Sequence, residues 1–589
     1  MNLIYLLSII YLMTIFMLYK KSDNKLCLIS SIIYSICLLF CYNTFIVYLL
    51  YLLGINGSII LFSIINFLLG TIISIIIYIK EKKIQKYFIS KKKLITFIIL
   101  GIIIFLVGFF RYRGFEAIAF ESGDSAIHYS HALKFKDELS ILDINNSRND
   151  VEGYYVRIMP ISYINCGLLF NMFSNVDSYI VFLWYNVLSL ILCSLLFLVT
   201  IIDSFKLKKK DYIYGLFFSL LYTLAFPLNN FMMGFCYLSL GIMTINLLYL
   251  TIYSFKDKFN EDILFKILVI FLITFSSFYS YYLFVPALYL SLGLYYIYLF
   301  KKKKISFKNM TLYGVTTLII PFIIGFLYFF VTLFQDLGVG EVAKTINTWG
   351  YCYSNITPLF LFIWGTFYLG WNYIYNKKFN YLIINLFILS GYIFIFLILY
   401  LFKRADLYYF YKLFSMYWLL LLLFLGTKII NYKKYFYIFI FCLTIVNIFV
   451  YINPLNAIAD YFVRSNIYSY NTRYFKDDKL VYDKEELELL ERSIEYNNIC
   501  KKDKNFLLLG NGINPMWAYF ITNNLPVIGK ANGNLKILYT NVVPSFKVWE
   551  YNSDYPCLIY YYEGLDIKID KSKYEILYEN NKGSIIKRI

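Results

Sequence analysis

The sequence predicts a polytopic α-helical membrane protein of about 14 transmembrane helices, with interfacial helices in the first large outer loop and an extracytoplasmic α/β domain at the C-terminus. Three observations carry that prediction. The 589 residues are 60% hydrophobic and 15% charged, with a mean hydropathy of +0.63, whereas soluble domains are roughly 25% charged. Apolar runs of about 18 residues or more recur, each long enough at about 1.5 Å per residue to cross a hydrocarbon core of about 30 Å. Past residue 452 the charges rise and the apolar runs shorten to strand length.

The N-terminal unit, residues 1–93, holds spans at 2–19, 26–50 and 57–79. The first lacks a basic lead and a small-residue cleavage site and is followed by Lys20 and Lys21, so it reads as a retained span rather than a cleaved signal. The core, residues 94–452, opens with a span at 94–110 and then the polar loop 111–157. Residues 158–173 are apolar but short for a crossing, with Pro160 near their start, and read as a helix lying in or dipping into the interface. Spans follow at 177–201, 212–228, 231–254, 263–281, 283–300, 310–334, 357–375, 380–402, 412–430 and 435–452.

Orientation comes from the basic runs. Lys20–Lys21, Lys91–Lys93, Lys206–Lys210, Lys256–Lys258, Lys301–Lys304, Lys377–Lys378 and Lys433–Lys434 all fall on one side, the cytoplasmic one by the positive-inside bias. The loop 111–157, the turn Pro227–Asn230, the loop Gln335–Asn355, the turn Lys403–Asp406 and everything after Tyr451 then face outward. In the C-terminal unit, residues 453–589, Glu485–Tyr496 and Asn514–Thr522 carry helical patterns. Phe506–Gly510, Leu558–Tyr562, Tyr574–Tyr578 and Ser584–Lys587 read as strands.

The same distribution excludes several function classes. The net charge of +19 sits in short loops where it fixes orientation, so membrane lipids and not nucleic acid are the implied partners. The ten cysteines lie mostly inside spans and show no CxxC pair, which speaks against a zinc ribbon or a disulfide framework; Cys500 and Cys557 are the two placed to pair outside the membrane. Asp203 and Lys266 lie near span ends, so no charge relay crosses the membrane as an ion-driven transporter would need.

Arg111–Arg157 is the one polar interval among the spans long enough to hold chemistry, and it contains both histidines of the chain. Glu121, Asp124, His128 and His131 follow one another at spacings of three, four and three, which on a helix is one face. Asp124, after Ser122 and Gly123, suits a helix N-cap. A carboxylate partly desolvated at the membrane edge also suits a general base with a raised pKa. Asp124 and His128 are the residues that can hold a divalent cation, magnesium or manganese, but the second half of a zinc signature is missing and no ion is obligatory. Asp150 and Glu152 are further acids in a hydrophilic part of the loop.

Lys403, Arg404 and Lys412 break the orientation bias by placing three cations outside. A phosphate would explain them, gripped by arginine bidentately and by lysine as a point charge; contact with lipid headgroups explains them equally. Arg111, Arg113 and Arg157 can add to the same charge. The loop Gln335–Asn355, with Gly338, Gly340, Glu341 and Trp349, has the length of a flap over a site and equally that of a plain connector.

This pattern resembles the C-type glycosyltransferase superfamily, polytopic enzymes that use polyprenyl-phosphate-linked sugars. The likeness rests on a span followed by a large outer loop with acids near its start (Glu121, Ser122, Gly123, Asp124) and a histidine in Asp124-x-x-x-His128. It extends to the short helix after Tyr155-Val-Arg157-Ile-Met-Pro160, the later outer loop and the outer C-terminal unit. It covers residues 94–589 in layout and far fewer in motif. The chain departs from the pattern in lacking an acidic doublet after the span and in placing three spans before the fold's usual start.

The resemblance implies a hexosyl- or pentosyltransferase of the cell membrane, its catalytic loop extracytoplasmic. Asp124 would be the base, assisted by Glu121 and His128, with Arg404, Lys403, Lys412, Arg157, His131 and Glu341 binding substrate. The donor would be a polyprenyl-phosphate sugar and the acceptor a cell-envelope glycan, lipid or protein. Two rivals share the layout: a flippase or exporter of polysaccharide or lipid-linked oligosaccharide, and a lipid-linked polysaccharide polymerase or ligase.

Overall fold

Inside hydrocarbon every backbone N–H and C=O must find its partner within its own segment, so long apolar runs become helices. The computed structural model describes residues 2–19, 25–79, 84–120, 124–139, 160–224, 226–256, 258–326, 356–376, 379–404, 407–429, 482–496, 505–509, 515–522, 527–531, 534–539, 557–561 and 571–589. The N-terminal helices are α1 (Leu3–Leu18), α2 (Leu28–Leu52), α3 (Ile59–Ile79) and α4 (Lys91–Arg111). Next come α5 (Asp124–Glu138), α6 (Pro160–Met172), α7 (Ser178–Ser204), α8 (Tyr212–Thr223), α9 (Phe226–Met233), α10 (Cys236–Phe255) and α11 (Ile263–Phe278). Then follow α12 (Val285–Lys301), α13 (Phe307–Phe326), α14 (Ile356–Asn376), α15 (Tyr381–Leu401) and α16 (Leu407–Ile429). Among the described residues, eight helices are long and apolar enough to cross a membrane: α2, α3, α4, α7, α10, α12 with the turn before it, α13 and α15. The chain is therefore membrane-associated; α1, α11 and the part of α16 from Lys412 to Gly426 are shorter apolar helices.

Three stretches differ from the sequence reading. The span expected at 212–228 is divided: α8 stops at Thr223 and α9 begins at Phe226. Pro227, whose missing N–H costs nothing in a first turn, sits at the start of that second helix, so the turn expected at Pro227–Asn230 is itself helical. The helix read at 158–173 appears as α6, but nearly all its side chains are buried among α2, α5 and α7. Asn43 donates to Asn165 of α6 at 2.9 Å, which satisfies two amides inside that contact. The span expected at 435–452 lies outside the described residues.

The two ends of the bundle are chemically distinct. At one, Lys93 in the first turn of α4 pairs with Asp203 at the end of α7 at 2.5 Å, so the two helices run antiparallel. The same end holds a two-strand parallel pair, β1 (Leu26–Cys27) with β2 (Tyr87–Phe88), and the lysine-rich turns after α7 and α12. At the other, Tyr112 just past α4 accepts a hydrogen bond from Asn186 near the start of α7 at 2.6 Å. That second end carries α5.

Beyond the bundle, α17 (Lys484–Tyr496) and α18 (Pro515–Ile521) pack with a six-stranded sheet of order β5-β4-β3-β6-β8-β7. Its strands are β3 (Asn505–Leu509), β4 (Val527–Ala531), β5 (Asn534–Tyr539), β6 (Cys557–Tyr561), β7 (Tyr574–Glu579) and β8 (Gly583–Arg588). The central β3 runs parallel to β4 and β6, and the outer pairs are antiparallel. The unit is tied to the bundle end that carries α5. Ile118 and Tyr482 exchange backbone hydrogen bonds at 3.1 and 3.2 Å, and Glu491 of α17 is bonded by Tyr179 of α7. Burial raises the Glu491 carboxyl pKa, and the bond from Tyr179 lowers it in part.

The Lys93 side chain is 3% exposed and that of Asp203 39%. Removing one partner strands a buried ammonium, although the part-exposed carboxylate reduces the loss. Asp203→Asn is expected to destabilise the fold by about 1–2 kcal/mol, and Lys93→Met in the same chain should restore part of it, as read from thermal unfolding in detergent.

Candidate functional site

The site is built from α5, the start of α10 and α16. Asp124 is the first residue of α5 and His128 lies one turn later. The His128 ring stands 4.8 Å from that of Tyr237 and 6.0 Å from that of Phe235. Lys412 of α16 lies against the same two rings, its Nζ 4.5 Å from the Phe235 centroid and 5.8 Å from that of Tyr237, and it is fully buried. An ammonium over aromatic faces is attracted by their negative quadrupole, and more strongly once water is removed. His131 is buried one turn further along, 6.4 Å from His128 and 6.2 Å from Tyr163 of α6.

Burial, with the Lys412 charge in addition, pushes the His128 pKa down from 6.5 to about 3. The imidazole is thus neutral at any ordinary pH, able to donate through one nitrogen and accept through the other.

Local sequence explains how these groups are held. Gly234 has φ +75 and a side chain there would meet Ser125 of α5 at 2.5 Å, so only glycine lets the chain pass this close and turn Phe235 toward the histidine. Asn186 donates to the Tyr112 hydroxyl and to the Phe231 carbonyl at 2.6 and 2.8 Å, while the Cys236 thiol donates to its Oδ1 at 2.9 Å. That one amide ties α4, α7, α9 and α10 together beneath the aromatic pair. On the far side of α5, Gly167 of α6 permits close contact: a Cβ would lie 2.7 Å from Phe135 and 2.9 Å from the Ala132 carbonyl oxygen.

The C-terminal unit closes the third side. Trp517 of α18 is fully buried and its Nε1–H donates to Ser125 Oγ at 3.1 Å. Its ring stacks on Phe120 at 5.6 Å and on Tyr129 at 5.2 Å, with Phe182 edge-on at 5.9 Å. The first turns of α5 are therefore clamped between the bundle and α18 of the C-terminal unit.

The other residues singled out by sequence lie elsewhere. Lys403 and Arg404 are exposed and form the turn that ends α15, with Lys403 at φ 55 and the Arg404 N–H on the Leu399 carbonyl at 2.8 Å. The Arg111 side chain is buried and donates to the Ala119 carbonyl at 3.2 Å, bracing the segment that leads to α5. Glu121, Arg157, Glu341, the loop Gln335–Asn355, Asp150, Glu152 and the side chain of Asp124 lie outside the described residues. Among the described residues no group of three or more His, Cys, Asp or Glu side chains is placed to hold a metal. The Lys412 charge beside His128 disfavours a second cation at that imidazole, and the side chain of Asp124, the other expected ligand, lies outside the described residues.

Phe235, Tyr237, Tyr163 and Trp517 were not legible in the sequence as site residues. With 62 tyrosines and 57 phenylalanines in the chain, an aromatic side chain carries no contrast. Gly234 directly before Phe235, just inside the expected start of the span 231–254, is the available signal. Compared with protein-family models, with curated proteins and with solved structures, the chain matches none.

Two measurements probe this arrangement. An unfolded His128 takes a proton below pH 6.5 whereas the folded one resists until about pH 3, so stability is fully present above 6.5 and falls as pH drops through that interval. Unfolding midpoints between pH 7 and 4 should decline with an uptake of about one proton that His128→Gln removes; an unchanged slope in that variant contradicts the assignment. Trp517→Phe, which loses the bond to Ser125 but keeps an aromatic ring, should cost about 1 kcal/mol. Trp517→Ala should cost about 3–5 kcal/mol, with hydrogen exchange rising first in residues 124–131.

Proposed function

We propose that the chain is a membrane glycosyltransferase that moves a sugar from a polyprenyl-phosphate donor to an extracytoplasmic glycan, lipid or protein. The observation that carries this reading is the meeting of Lys412 with His128 at the bundle end where α5 begins. A buried ammonium next to an imidazole that is neutral near pH 7 favours an anionic group with an oxygen to accept from both. Placed at one end of a bundle of apolar helices, that pair suits a phosphate whose hydrocarbon tail stays in the bilayer.

In this reading the acceptor hydroxyl gives its proton to Asp124. Its oxygen forms a bond to the sugar anomeric carbon, and the bond from that carbon to the phosphate oxygen breaks, with the electron pair leaving on polyprenyl phosphate. Lys412 offsets the charge that builds on the departing phosphate, the electrostatic contribution that is usually largest in such transfers. His128 donates to a phosphate oxygen without competing for the acceptor's proton, because its pKa lies far below neutrality. Lys403 and Arg404, exposed at the end of α15, are assigned to headgroup contact on the approach rather than to the reacting centre. Extracytoplasmic placement of α5 and the sheet follows from the positive-inside bias of the lysine-rich end.

Membranes containing the protein, supplied with radiolabelled polyprenyl-phosphate sugars, should transfer label to an acceptor. Asp124→Asn should lower the rate about 10²–10⁴-fold and Lys412→Met about 10²–10³-fold, with detergent-extracted protein still folded. Full transfer by Asp124→Asn removes that residue as the base. A chain that moves intact lipid-linked saccharide across the bilayer without transferring label is an exporter instead.

A further inference from the structure

Running along the bundle from near its lysine-rich end toward the end that carries α5, the helices α1, α2, α3 and α11 enclose an apolar groove of about 490 Å³. Along α2 its wall recurs at positions 35, 38, 39, 42, 45, 46, 49, 50 and 53, which is one helix face. The groove therefore follows α2 for about 27 Å, close to the depth of a hydrocarbon core. Leu49, Leu53, Leu68 and Ile72 on its rim are exposed, so it opens sideways. Its volume is that of a site for one chain-like or drug-sized molecule.

Two polar features lie toward the lysine-rich end, one in the lining of the groove and one past it. The Ser35 hydroxyl, 2% exposed and part of the lining, has no hydrogen-bond partner among the described residues. Ser35 stands two turns inside α2, where a buried unpaired hydroxyl carries a desolvation cost unless something bonds to it. Beyond that point is the β1–β2 pair. Its parallel register, with the Leu26 N–H on the Lys86 carbonyl at 3.0 Å, sets Lys25 beside Lys86, both exposed. The pair is anchored to the groove by Tyr87, whose hydroxyl donates to the Met17 carbonyl at 2.6 Å, one residue past the lining residue Phe16.

Cations, then a hydroxyl, then a hydrocarbon slot reproduce the order of phosphate, ester carbonyl and acyl chain in a glycerophospholipid. We infer that this groove binds one anionic glycerophospholipid from the leaflet at the lysine-rich end, its phosphate on Lys25 and Lys86, an ester carbonyl on Ser35 and one acyl chain along α2. The site is independent of the sugar-transfer reading and lies away from His128 and Lys412.

The test is native mass spectrometry of the full chain in detergent, with phosphatidylglycerol and phosphatidylcholine added in equal amounts. The expected result is one phosphatidylglycerol retained per chain in preference to phosphatidylcholine. Lys25→Ser with Lys86→Ser should weaken retention about tenfold or more, and Leu68→Trp, at an exposed rim position, should block it by filling the slot. Changing Lys302 and Lys304 to serine, on another loop of the same end, should leave it intact. Equal retention of the two lipids, retention unaffected by both groove variants, displacement by polyprenyl phosphate, or a second protein chain in place of lipid would each overturn the inference.

Discussion

A fully buried ammonium is the feature around which the rest of the bundle end is arranged. Moving the Lys412 charge out of water costs several kcal/mol, and on the described side it meets the faces of Phe235 and Tyr237. Those rings keep their places because Gly234 turns the backbone with a positive φ and because Asn186 holds the neighbouring Cys236 thiol and the Phe231 carbonyl together. The same rings carry His128, and the charge beside it adds to burial in keeping that imidazole unprotonated. One cation thus shapes both the electrostatics and the packing of the candidate site.

The clamp on α5 links this centre to the C-terminal sheet. Trp517 bonds to Ser125, the residue next to Asp124, and stacks on Phe120 and Tyr129 at either side of that segment. The backbone bridge between Ile118 and Tyr482 fixes the approach to the same segment. A unit that reads as a separate appendage by composition is therefore packed against α5 through Trp517.

Much of the helical layout was legible because hydrocarbon leaves a chain few choices: the apolar runs and the lysine-rich turns mark helix bodies and ends directly. Division at Pro227 was harder, since both halves are apolar and only the first-turn preference of proline separates them. The strands of the C-terminal sheet were read where β-branched and aromatic residues cluster. The hairpin β4–β5 was not, because Gly529, Lys530 and Asn534 dilute its pattern, although Asn532-Gly533 between its strands is a hairpin signal. Lys403, Arg404 and Lys412 all break the charge bias, yet only Lys412 lies against the rings that pack on His128; the other two end a helix in the left-handed turn that Lys403 adopts. Trp517 could not be found from sequence because its partners lie almost four hundred residues away, at Ser125.

The proposed sugar transfer requires the space between α5, the start of α10 and α16 to take an anionic lipid headgroup. The most direct measurement is photolabelling with a polyprenyl phosphate that carries a diazirine next to its phosphate, followed by peptide mapping of the crosslinked chain. Label on peptides that contain His128, Phe235–Tyr237 or Lys412, competed by unmodified polyprenyl phosphate, is the predicted result. Label confined to other parts of the bundle, or insensitive to that competitor, would contradict it.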